Sequence, residues 1–306
     1  MSVTLRRRGA GPGPATTPAA RAYSSTGHLR RLPRPRLAQL IPFTLGTAWL
    51  VIVVAPIWFM VLSSFRTEAG YLTKNPWVPT SGMTLSEYSL VFRSGLGTYF
   101  LNSGVVAAAS IVLTLALSLA TSFRAVRRTS PRVSGWAIRL LVFGLAVPIQ
   151  ALIVPLYIIV IKLHLYNTLP ALILTMSATA IPLSVLVMLS FVRDIPRELI
   201  DAMGVDGAGE WRIFSSLIVP MSRPVLATMG IYDGIQVWNN FLLPLVLTTS
   251  NSVAVLPLGL YKFQGMFGTN IPATLTAVLL SAVPLFILYI VLRRQFVQGL
   301  SGVAVR

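Results

Sequence analysis

The stretch LHLYNTLPALILTMSATAIPLSVLVMLSFV, residues 163–192, lies between Lys162 and Arg193 and contains no Lys, Arg, Asp or Glu. A bilayer core about 30 Å thick is crossed by about 20 apolar residues in α-helix, which satisfies its own backbone groups where no water can. The stretch is therefore long enough to span a membrane. Working outward, charge-free runs of similar length lie between Arg36 and Arg66, Arg93 and Arg124, Arg139 and Lys162, and Lys262 and Arg293. A sixth, from Pro224 to Leu247, carries one charge, Asp233. The fold class that follows is an all-α integral membrane protein of six transmembrane helices. Pro56, Pro148, Pro155, Pro182, Pro244 and Pro284 fall inside these runs, which packed membrane helices tolerate as kinks.

Composition agrees with lipid as the solvent: 55% of the 306 residues are hydrophobic and 11% charged. The net charge of +17 would suit a nucleic-acid partner only if the basic residues shared a face with stacking aromatics. They sit between the apolar runs instead. With the N-terminus inside, 20 of the 25 Lys and Arg fall in 1–37, 124–139, 193–223 and the segment after Leu292. That asymmetry places both termini in the cytoplasm of a multi-pass protein of the plasma or inner membrane, and removes the need for nucleic acid. Residues 1–37, rich in Arg, Pro, Gly, Ala and Ser, read as a disordered, uncleaved basic cytoplasmic tail, and 38–306 as the transmembrane domain. Cysteine is absent, which excludes disulfides, thiolate metal sites and cysteine nucleophiles. His28 and His164 lie far apart in the chain and read as surface residues, so no metal is expected.

The segment 193–223 holds five of the eight acidic residues: Asp194, Glu198, Asp201, Asp206 and Glu210. Pro196 suits the first turn of a helix, and Glu198 and Asp201 complement its positive end. Gly207 permits a reversal, after which Trp211, Ile213 and Phe214 begin a second helix. Such a helix–turn–helix unit outside the bilayer is either an ordinary interfacial loop or a surface that docks in a groove on a soluble partner.

From Pro196 to Pro224 the chain resembles the EAA loop of ABC importer permeases. Asp201, Ala202 and Met203 stand at its Glu-Ala-Ala positions, Gly207 at its glycine, and Ile218, Val219 and Pro220 near its closing motif. The alanine, the glycine and the final proline match strictly. Asn102-Ser103, Val154–Tyr157, Leu165–Thr168, Trp238–Pro244 and Gln298–Val305 are similar to segments of the sugar-importing branch, specifically its smaller maltose-type permease. The resemblance covers residue 45 to the C-terminus. It implies the type I importer fold, with Glu198, Asp201, Ala202, Asp206, Gly207, Glu210 and Arg212 in a coupling loop. It also implies a sister permease, two ATPase subunits and an extracytoplasmic sugar-binding protein as partners. No cofactor and no enzymatic activity are expected in this chain. A Walker lysine precedes Ser or Thr, whereas Lys74, Lys162 and Lys262 precede Asn, Leu and Phe, so ATP belongs to a partner.

On the fifth apolar run Asp233, Gln236 and Asn240 recur at i, i+3 and i+7, which puts them on one helical face near the bilayer centre. With Gln150 at comparable depth on the third run, they form the expected substrate pathway, and Trp238 is placed to stack on a sugar ring. Asn239 and Asn240 belong to a family-like segment and read equally as structural residues. A secondary, ion-coupled transporter is the alternative; it would show a relay of intramembrane carboxylates, of which Asp233 is the one candidate. An intramembrane enzyme would need paired acid, base or metal groups, and the sequence offers none.

Overall fold

The computed structural model describes residues 36–79, 82–127, 131–266 and 270–301. Most of the basic tail and the last residues of the C-terminal segment therefore lie outside the described residues. All regular structure described is helical. It comprises α1 (Arg36–Ser64), α2 (Glu68–Thr73), α3 (Ser86–Val91), α4 (Gly97–Arg127), α5 (Pro131–Ala146), α6 (Ile149–Lys162), α7 (Leu169–Arg193), α8 (Arg197–Val205), α9 (Glu210–Ile213), α10 (Val219–Met221), α11 (Arg223–Trp238), α12 (Leu242–Leu247), α13 (Leu256–Met266) and α14 (Ile271–Ser301). The packing of the described residues divides between Val53 and Val54, within α1.

Three continuous helical segments are long and apolar enough to span a bilayer: Pro42–Ser64, Ser86–Arg127 and Leu169–Arg193. Two bent helix pairs, Ile138–Ala146 with Ile149–Lys162 and Glu210–Met221 with Arg223–Trp238, bring the number of candidate spans to five if each pair counts as one, and Ile271–Ile287 is a shorter apolar segment at the start of α14. Each of the six apolar runs contains helix, and at least two of them are not single rods. The run between Arg139 and Lys162 breaks between α5 and α6, which meet at 104°. Pro148 is the cause: it has no N–H for the helical ladder, forces the residue before it out of the helical region, and sits extended at φ −64°, ψ 139°. The run from Pro224 to Leu247 ends its first helix at Trp238, turns through Asn239–Phe241 and resumes as α12. Pro155, Pro182 and Pro284 remain inside continuous helices.

The most extensive helix pairing is α4 on α7. Hydrophobic burial cannot drive it in lipid, where tails are as apolar as leucine; small residues and interhelical hydrogen bonds do. Ser110, Thr114, Ser118 and Ser122 recur every four residues and are all buried. Ser110 Oγ donates to the Ile173 carbonyl at 3.4 Å, Ser177 Oγ to the Ser110 carbonyl at 3.3 Å, and Ser122 Oγ to the Val185 carbonyl at 3.2 Å. Such bonds contribute on average about 0.6 kcal/mol each in a membrane. On another side of α4, Gly230 and Gly234 of α11 lie against Leu115 and Ile111, where an added Cβ would come to 3.4 and 3.2 Å. The Gly-x-x-x-Gly spacing is what lets α11 approach α4.

A third close approach holds α13. Gly259 packs against the buried ring of Tyr99, so near that an added Cβ would overlap it. The loop between α12 and α13 is tied down by three side chains. Asn102 Nδ2 donates to the Ser252 and Ala254 carbonyls, Ser103 Oγ accepts from Leu256 N, and Asn167 Oδ1 accepts from Thr249 N, Ser250 N and Ser250 Oγ. Asn167 holds φ +60°, a left-handed conformation that Asn tolerates well.

Candidate functional site

Two regions collect the residues singled out in the sequence. The first is the helix–turn–helix unit of α8 and α9. Ile200, Met203 and Ala208 face inward, on a core shared with Leu119, Phe123, Met188 and Val192 at the ends of α4 and α7. The helix ends in a Schellman turn: Gly207 N donates to the Gly204 carbonyl at 3.1 Å and Ala208 N to the Met203 carbonyl at 2.9 Å. Gly207 takes φ +78°, so its identity is dictated by backbone conformation, as its place in the sequence predicts. The outer face presents Leu199, Ala202, Val205 and Trp211 to the surroundings, with Val205 89% exposed. Glu198, Asp206 and Arg212 are exposed as well.

Asp201 and Glu210 have partners that sequence reasoning missed. Arg127 reaches Asp201 at 3.5 Å and Glu210 at 3.7 Å, and Arg124 bonds Glu210 at 3.1 Å. Both arginines end α4, more than 70 positions away in the chain. In the sequence they register only as charges flanking a span, and no local pattern pairs them with the loop.

The second region is a cavity of about 310 Å³ between α7, α11 and the α5–α6 break. One wall is polar: Tyr232, Asp233 and Gln236 from α11, Asn240 from the turn that follows it, and Thr179 from α7. The rest is apolar, including Leu145 and Ile149 on either side of the Pro148 bend. Asp233 is only 2% exposed, and its Oδ2 accepts a hydrogen bond from Ser184 Oγ of α7 at 3.0 Å. Asn240 Oδ1 also accepts from Leu243 N at 3.2 Å, so this side chain caps α12 while lining the cavity.

Three expected pathway residues lie elsewhere. Gln150 is exposed in the first turn of α6 and does not line the cavity; its neighbour Ile149 does. Trp238 donates Nε1–H to the Ser281 carbonyl at 3.3 Å and meets Phe100 edge-on, which ties α11 to α14 and α4, and it does not line the cavity. Asn239 turns back to the Ile235 carbonyl at 2.8 Å and closes the end of α11. Thr179, Ser184 and Tyr232 were not singled out from the sequence. Tyr232 adjoins Asp233, but no spacing rule points to α7. Among the described residues no group of three or more His, Asp or Glu is placed to hold a metal ion.

Continuous and bent apolar helices, several of them long enough to cross a bilayer and enclosing a partly polar cavity, are the architecture of a multi-pass membrane protein. Residues 113–301 match the family described as "binding-protein-dependent transport system inner membrane component". The chain belongs to that family, the multi-pass permeases of ABC importers. It is 32% identical over 278 residues to the arabinooligosaccharides transport system permease protein AraQ of Halalkalibacterium halodurans, covering 89% of this chain and 98% of that one. It is 31% identical over 260 residues to the diacetylchitobiose uptake system permease protein NgcG of Streptomyces coelicolor, covering 83% and 84%. The fold is similar to a chain from the crystal structure of a bacterial ABC transporter involved in import of the acidic polysaccharide alginate, with a TM-score of 0.72, 19% identity, and coverage of 85% of this chain and 96% of that one.

Proposed function

We propose that this permease carries a sugar or oligosaccharide inward by alternating access, driven by ATP hydrolysis on separate subunits. The observation that carries the reading is the two-sided cavity. A saccharide presents hydroxyl edges and C–H faces, and a wall with amide, hydroxyl and carboxyl groups opposite Leu145, Ile149 and Met176 suits both. Relatives whose transport systems are named for oligosaccharides support the same class of cargo.

The remaining parts follow from this reading. The outer face of α8 and α9 docks on an ATPase subunit, with Ala202 and Gly207 at the contact and Glu198, Asp206 and Arg212 at its rim. ATP is held there and not on this chain. Two ATPases, a sister permease and an extracytoplasmic sugar-binding protein complete the importer. Closure of the ATPases moves the docked units and tilts the helix bundles as rigid bodies. Both termini and the 193–223 segment are cytoplasmic by charge asymmetry. The test is uptake of radiolabelled oligosaccharides into proteoliposomes holding the assembled importer. Uptake that requires ATP and the binding protein is expected. Uptake driven by an ion gradient without ATP would overturn the reading.

A further inference from the structure

Among the described residues, the polar wall of the α7–α11 cavity carries one carboxylate, Asp233, and no Lys, Arg or His lines it. The other polar lining groups, Thr179, Tyr232, Gln236 and Asn240, are amides and hydroxyls. Ser184 supplies one hydrogen bond to Oδ2, whereas an ionised carboxylate has about four acceptor sites, so most of its capacity is left for what enters the cavity.

Resting on the reading of this cavity as the cargo path, we propose that Asp233 is a charge filter. It accepts hydrogen bonds from the hydroxyls of neutral saccharides or the ammonium of amino sugars. It repels saccharides bearing carboxylate, sulfate or phosphate. At an effective dielectric constant of about 20, a like charge about 6 Å away is disfavoured about a hundredfold, while a neutral ring meets only acceptors. Gln236 on α11 and Asn240 in the turn that follows it contact hydroxyls without regard to charge.

The absence of cysteine permits a direct test in the full importer. Gln236→Cys puts a thiol on the exposed polar wall, and its reaction with a cationic trimethylammonium-ethyl and an anionic sulfonatoethyl methanethiosulfonate is followed by the intact mass of this chain. Relative to a small thiol in solution, the cation-over-anion rate ratio is expected to rise about tenfold or more. Adding Asp233→Asn should remove that rise, and adding Asp233→Glu should keep it. A ratio unmoved by Asp233→Asn, or no modification of Gln236→Cys in any nucleotide state, overturns the proposal. In proteoliposomes, uptake of a uronate analogue relative to its neutral parent should increase at least about fivefold in Asp233→Asn. The same binding protein serves both variants, so its own preference cancels in that comparison, and an unchanged ratio contradicts the filter. If no saccharide is taken up at all, the cargo reading fails while the thiol ratio still decides whether Asp233 sets the field.

Discussion

The α8–α9 unit and the α7–α11 cavity treat their carboxylates in opposite ways. In the loop, Asp201 and Glu210 pair with Arg124 and Arg127 at side-chain exposures of 27–72%, where water competes for every partner. In the cavity, Asp233 is buried with one hydroxyl donor, and no cation lines the space among the described residues. Exposed pairs are cheap to break and remake, which suits a surface that exchanges contacts with another subunit. A buried, half-satisfied carboxylate is costly to hold, and a membrane protein that retains one uses it. The loop owes its shape to backbone geometry; the cavity owes its character to a single side chain.

Three substitutions separate these accounts, from the largest effect to the smallest. Gly207→Val leaves room for the side chain, since nothing lies within 4 Å of an added Cβ, but it forces a β-branched residue to φ +78°. The cost is about 1–3 kcal/mol, concentrated in the turn. ATP-driven uptake should fall to background, and Gly207→Asn, which tolerates left-handed backbone, should restore most of it. Full uptake by Gly207→Val would show that the Schellman turn is dispensable. Ser184→Ala removes the donor to Asp233 and should destabilise the purified complex by about 1–2 kcal/mol, read as a lower Tm. An unchanged Tm would mean that the carboxylate finds equal partners elsewhere in the cavity. Arg127→Ala should cost no more than about 0.2–1 kcal/mol, and high salt should erase the difference from wild type. A salt-independent loss would show that these pairs behave as buried ones.

The loop was largely legible because its determinants are local. Pro196, Gly207 and the residues between them fix a helix and its termination within a dozen positions. Arg124 and Arg127 were not legible as its partners, because pairing across more than 70 residues is decided by tertiary packing. For the cavity, the spacing of Asp233 and Gln236 places both on the lining side of α11, whereas Asn240, read as the next position on that face, lines the cavity from the turn after the helix ends at Trp238. The same arithmetic excludes Trp238, which lies five residues from Asp233 and so about 140° around the helix. Hydropathy counts length and not direction, so it finds the run from Arg139 to Lys162 yet cannot show that Pro148 bends it by 104° and aims Ile149, in place of Gln150, at the cavity.

The central claim is that the loop is the lever and the cavity the path it opens. It is tested most directly by maleimide labelling of two single-cysteine chains in the assembled importer. Val205→Cys, 89% exposed on the isolated chain, should be shielded by the bound ATPase. Gln236→Cys should label from opposite sides of the membrane in the nucleotide-free and the ATP–vanadate-trapped complexes. If Val205→Cys stays as reactive as in the isolated chain and Gln236→Cys labels from the same side in both states, the lever and the path are both contradicted.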